Sequence, residues 1–323
     1  MVHWNAEAAC HQRQADTAAN EAGADHYPAL PRECCDLSNL DRPTAVQQGH
    51  PDALPLPRVG VFEELDFSIA LEKAIALIME QKYEAALKLL DCLIGAAEAD
   101  GLAPSAQRDD GKPHAFRNTF EEALLHLIHG PQYPVVPVPV ELFGAYCFHG
   151  YLLFELKRYE EAERSLNKAA ALNPVNCEPV AELAEICKLR GDWDGLLAHT
   201  NRAFEMAYDS ESLARCYRNY GYYHIEQKNY GLATALFIHS LAFDPESIIA
   251  VNELAYIQEQ TGQPVQEPVK AEILALLEAN GIPLGASNLV TTAAKAIGQE
   301  MLAQGRYEDA FLCCYILCDV GRG

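Results

Sequence analysis

The feature that most constrains this chain is a recurrence. In YCFHGYLLFELKRYEEAERSLNKAAALNP (146–174), the tetrad Tyr159-Glu160-Glu161-Ala162 begins nine residues after Gly150 and ends twelve before Pro174. The same grammar returns along the chain at a nearly constant interval. Trp193 in RGDWDGLL falls one interval after Tyr159, with Ala203 in the later small-residue slot. Tyr230 follows Trp193 after a slightly longer interval, with Gly221, Ala233, Phe237 and Pro245 in the expected places. Pro264 falls one interval after Tyr230, but the helix after it is offset, starting near Glu267-Pro268 and ending at Asn280-Gly281. Tyr307 restores the pattern with Gly298 and Ala310, and upstream Tyr83 with Ala86 supplies a sixth copy. Apolar residues recur at helical spacing, as in Ile69-Ala70-Leu71 and Ile75-Ala76-Leu77-Ile78. A helical hairpin cannot bury its apolar face alone, whereas stacked hairpins share a continuous core.

These residues resemble the tetratricopeptide repeat, a pair of antiparallel helices. A large aromatic (Tyr146) opens the first helix, Gly150 permits close approach, Tyr159 opens the second helix, Ala162 and Ala169 line its packed face, and Pro174 ends it. The resemblance covers about Glu63–Glu98 and Leu142–Val320. It implies an all-α fold, a right-handed solenoid of about six repeats with one inserted helix and a proline-rich strap. The expected organisation is a disordered tail over 1–60 and a solenoid over 61–323. Within the solenoid, one repeat spans 63–98, an insertion spans 99–141, and the other repeats span 142–323. The tail holds Pro28, Pro31, Pro43, Pro51, Pro55 and Pro57 with few apolar clusters, a composition that offsets little ordering entropy. Ala6–Ala22 reads as a transient helix. In the insertion, Thr119-Phe120-Glu121-Glu122 has capping-box spacing and predicts a helix over 119–129, ended by Gly130. The strap 131–139 carries Pro131, Pro134, Pro137 and Pro139, which favour extended backbone. It would run across the concave face or cover an exposed end of the solenoid.

Composition narrows the function classes. A net charge of −22 argues against nucleic acid, whose phosphates need clustered Lys and Arg, and equally against anionic membrane surfaces. The N-terminus has no secretory signal pattern and the chain has no long apolar run, which predicts a cytoplasmic protein. Eleven cysteines, an odd number falling mostly in predicted helices, fit a reducing compartment rather than a disulfide framework.

Two constellations resemble chemical sites. Glu122, His126 and His129 share one side of a helix, two His and a carboxylate being a zinc-type donor set. Their spacing is not that of the metalloprotease helix, and no fourth ligand has a known position. The competing reading is a helix with two polar-tipped His. Cys314 and Cys318 are one turn apart beside Cys313, but their neighbours Phe311, Tyr315 and Leu317 are apolar and no base is near to activate a thiol. No nucleophile elbow, phosphate loop or dinucleotide fingerprint occurs. The chain reads as a non-enzyme with no cofactor.

The resemblance also implies a peptide-binding groove lined by the first helix of each repeat. Carried over position by position, its residues are Tyr151, Phe154, Arg215, Arg218, Tyr222, Asn252 and Tyr256, with Lys295 and Gln299 further along. Aromatic rings and Arg supply much of the energy in such contacts. Arg215 and Arg218 share one helical face and would hold an acidic group of a partner, or else pair with Glu178, Glu182 or Glu185 of the preceding helix. The Lys–Asn–Asn–Lys–Arg clamp by which some relatives hold chaperone C-termini is only partly echoed, by Arg218, Asn252 and Lys295. The reading that follows is a protein-interaction module binding a peptide or protein segment. The alternatives are a peptide- or metabolite-sensing regulator and, more remotely, a metal-dependent hydrolase using Glu122, His126 and His129. An uncapped last repeat would leave apolar surface open, to be covered by 271–284 or used in a weak homodimer.

Overall fold

The computed structural model describes residues 67–106, 110–264 and 268–321. The predicted tail over 1–60 lies outside them, as does Ala6–Ala22. Thirteen helices occur among the described residues. They are α1 (Phe67–Met79), α2 (Tyr83–Ala99), α3 (Thr119–His129), α4 (Val140–Glu155), α5 (Tyr159–Leu172), α6 (Glu178–Arg190) and α7 (Trp193–Met206). Then come α8 (Ser210–Glu226), α9 (Tyr230–Phe243), α10 (Ile248–Thr261), α11 (Lys270–Ala279), α12 (Asn288–Ala303) and α13 (Tyr307–Val320). Two short strands, β1 (Lys112–His114) and β2 (Val135–Pro137), pair in parallel.

Each aromatic anchor of the recurrence is the first residue of a helix: Tyr83, Tyr159, Trp193, Tyr230 and Tyr307. The turn before each anchor is the same. Two residues ahead of it the backbone is left-handed, at Gln81, Lys157, Gly191, Lys228 and Gly305. The residue between donates its N–H to a carbonyl five back, as Arg158 does to Leu153 O (2.8 Å) and Asn229 to His224 O (2.8 Å). This closes the preceding helix and reverses the chain. Within a pair, glycine sets the approach: a Cβ on Gly150 would lie 2.7 Å from Leu166, and one on Gly221 2.8 Å from Phe237.

The pairs α1–α2, α4–α5, α6–α7 and α8–α9 stack in order, with the second helix of each against the first helix of the next. The resulting all-α solenoid holds two main cores, one under α1–α5 and one running from α3 to α13. After α10 the stack departs from the in-line order expected of the last copies. Helix α11 packs on α9, and the hairpin α12–α13 turns back to lie on α3, α7 and α8. Phe120, Leu124 and Leu125 of α3 share a core with Ile297, Met301, Cys313 and Ile316 of the hairpin. The inner face of the last pair is therefore covered by the inserted helix, a contact between segments far apart in the chain.

The strap supplies β2 and pairs with the segment before α3. Lys112 pairs with Val135 and His114 with Pro137, and Ala115 N donates to Leu172 O at the end of α5 (3.1 Å). Through β1 it lies against the C-terminal end of α5. A Cβ on Gly111 would come within 2.7 Å of Pro134 O.

Candidate binding groove

The first helices α4, α6, α8 and α10 lie side by side, each touching the next. Helix α12 does not join this row, so Lys295 and Gln299 stand off it. Of the seven predicted residues, Tyr151, Phe154, Arg218 and Tyr222 are buried and Arg215 is partly buried. Asn252 is exposed, and Tyr256 is 43% exposed. Tyr151 meets the ring of Tyr83 edge-on at 6.5 Å, and Phe154 meets Tyr159 at 5.6 Å. Burial pushes the Tyr151 hydroxyl far above its ordinary range, so it stays neutral.

The structure joins the two arginines to acids of this chain. Arg215 lies 2.7 Å from Glu182 and 3.6 Å from Glu185, and it donates to Ala181 O. Glu185 also takes Lys188 Nζ at 2.8 Å in a pair that is almost fully buried. Lys188 in turn stands 5.2 Å over the ring of Tyr222, which tilts against Trp193. Arg218 reaches Asp244 at 2.9 Å. Burial holds the Glu182 carboxyl above the usual range, while Arg215 opposes that shift. The cavity between α6 and α8, bordered by Arg117, Arg215 and Arg218, measures about 60 Å³, room for water and no organic ligand. Cys147 and Cys216 beside this row are pushed well up by burial, which leaves them protonated and weakly nucleophilic.

The main residue that sequence reasoning missed is Glu121, fully buried in α3. Its Oε1 accepts from Asn176 Nδ2 and the Tyr208 hydroxyl, both at 2.8 Å. Its Oε2 accepts from Asn173 Nδ2 (2.8 Å) and Arg117 N (2.6 Å). The helix cap is Asn118 rather than Thr119: Asn118 Oδ1 accepts from Glu121 N at 3.0 Å. Thr119 Oγ1 instead donates to Asp309 on α13 (2.6 Å). The capping spacing pointed to this helix start, but the partners of Glu121 lie 52, 55 and 87 residues away.

Glu122 and His129 are exposed and His126 is half-buried, with the His129 ring stacked on Tyr133 at 4.7 Å. Among the described residues, no group of three or more His, Cys, Asp or Glu is placed to hold a metal ion. The eight described cysteines are free thiols, and no described helix is long and apolar enough to cross a membrane.

Residues 143–176, from the first turn of α4 to the loop after α5, match the family model of the tetratricopeptide repeat. The chain carries a tetratricopeptide repeat. The other pairs opened by an aromatic repeat its turn, and α8–α9 and α12–α13 also repeat its glycine contact, through Gly221 and Gly298. A crystal structure of a tetratricopeptide repeat protein from Parabacteroides merdae is 15% identical, with 79% of this chain and 93% of that one covered. It superposes at a TM-score of 0.33, too loose to bear on fold or function. No curated protein matches in sequence. Tetratricopeptide repeats generally mediate protein–protein contacts.

Proposed function

We propose that the chain is a non-enzymatic, cytoplasmic interaction module that takes a peptide or protein segment along the row of first helices. The observation that carries the reading is the contrast along that row. The cations at its middle are neutralised by Glu182, Glu185 and Asp244, whereas α10 presents Asn252 and Tyr256 to solvent one turn apart. A side-chain amide can pair with an extended backbone, and a neighbouring Tyr supplies contact area. Tyr151, Phe154, Arg215, Arg218 and Tyr222 act as the frame that holds the row rigid. With a net charge of −22, nucleic acid is not among the partners we propose. A second, separate contact is with another copy of the chain through the C-terminal hairpin.

The test is affinity capture from native lysate with wild type beside an Asn252→Asp, Tyr256→Ala double variant, read by mass spectrometry. Both side chains are exposed, so the variant keeps its helical spectrum. A partner held by wild type and lost by the variant supports the groove, and equal retention moves the site elsewhere. The small-ligand alternative has one observation in its favour. An open hollow of about 680 Å³ beside the strap is bordered by Lys112, His114, His129 and Tyr133. That volume suits a metabolite, and a thermal shift with metabolite pools that is lost in Lys112→Ala would favour it.

A further inference from the structure

We propose that the outer face of α13 is a self-association surface, on which two copies of this chain pair through antiparallel α13 helices. This rests on the C-terminal hairpin alone and stands whatever the row of first helices binds.

The inner face of α13 is accounted for: Ala310, Cys313, Ile316 and Val320 are buried in the core shared with α3 and α12. Its outer face is unusual for a chain of net charge −22. Tyr307 is 70% exposed, Phe311 71% and Tyr315 52%, and Cys314 and Cys318 are exposed as well. The charged residues of the helix do not interrupt this face. Asp309 is held by Arg306 and Thr119, and Asp319 is buried and accepts from Ser210 N (2.7 Å). Only Glu308 borders it, at its N-terminal edge. Charge depletion and aromatic enrichment mark the core of a protein interface.

The order of side chains selects the occupant. Tyr307, Phe311, Cys314 and Cys318 are spaced by four, three and four residues, the seam of a helix that packs along another helix. The first half of this seam is aromatic and the second half is thiol. In an antiparallel pair each residue meets the one at the mirrored position, so Tyr307 faces the Cys318 position of the other copy and Phe311 faces its Cys314 position. Large then meets small along the whole seam, the arrangement that fills space without strain. A parallel pair would set ring against ring and thiol against thiol. The seam is thus complementary to itself under a two-fold axis, as an isologous dimer contact requires.

Area sets the strength. Three aromatics exposed to this degree, each burying about 150–250 Å² when covered, give about 500 Å² per copy with the two cysteines. That is about 1,000 Å² in total, the lower bound for a specific interface. The complex is a weak, reversible dimer. Two copies of net charge −22 also repel, so added salt strengthens it.

Sedimentation velocity of the full chain over a wide concentration range should show a monomer–dimer equilibrium that shifts toward dimer with salt. Phe311→Glu should abolish the dimer with the helical spectrum unchanged, and Cys314→Glu should do the same by a smaller change in volume. A wild type that stays monomeric, or a Phe311→Glu variant that still dimerises, overturns the proposal. Orientation is read by Tyr307→Cys under mild oxidation. The antiparallel seam predicts a disulfide-linked dimer to Cys318, lost when Cys318→Ala is added. With Cys314 and Cys318 both replaced by alanine, a linked dimer whose disulfide maps to position 307 of both copies would overturn the antiparallel register.

Discussion

Glu121 is the residue on which the middle of the molecule turns. One buried carboxylate accepts from Asn173, Asn176, Tyr208 and the backbone of Arg117, tying α3 to the loops before α6 and α8. Replacing it with alanine leaves the buried amides of Asn173 and Asn176 and the half-buried Tyr208 hydroxyl without this acceptor. Glu121→Ala should lower unfolding free energy by about 3 kcal/mol or more, measured by urea denaturation. A loss below that of an exposed control such as Glu122→Ala would show the carboxylate to be a bystander. Arg215 and Arg218 illustrate the opposite situation. Their spacing was plain in the sequence, but whether they face a partner or Glu182 and Asp244 depends on the neighbouring helices, and the structure pairs them.

Among the elements, the hairpin is the unit the sequence describes best. The opening aromatic and the left-handed residue two before it recur in five pairs, and the glycine facing the partner helix in three of them (Gly150, Gly221 and Gly298), because all three act within one hairpin. Gly221 is the sharpest case. A methyl there would stand 2.8 Å from the ring of Phe237, which is itself buried, so ring and helix cannot both stay in place. Gly221→Ala should cost about 1–3 kcal/mol by overpacking, despite alanine's better helix propensity. A melting temperature equal to or above wild type would contradict that packing. Element order beyond the hairpin was less legible. Nothing local in Tyr307–Val320 says that this pair leaves the stack, because its turn and its glycine Gly298 are those of an in-line repeat.

At the scale of the whole molecule, the buried histidines couple stability to pH. Burial depresses His114, His149 and His239 below the ordinary imidazole range, opposed in part by the carbonyl of Leu172, by Asp91 and by the backbone of Leu284 respectively. The unfolded chain therefore takes up protons before the folded one does. Stability is full above about pH 6.5 and falls as pH drops below it toward the depressed values. The melting temperature should be lower at pH 5.5 than at pH 7.5, and His239→Gln, which removes one of these groups, should narrow the gap. An unchanged gap would mean that His239 is as accessible to protons when folded as when unfolded. By itself the sequence determined an all-α chain of repeated hairpins, because the signals for helix, turn and close approach all lie within a single hairpin. Only the tertiary structure decided where the last hairpin goes, which charges along the first helices are already satisfied, and that Glu121 joins three loops. These depend on contacts between residues as far as 190 positions apart, and such contacts follow from the competition among buried surfaces for partners, which no local pattern records.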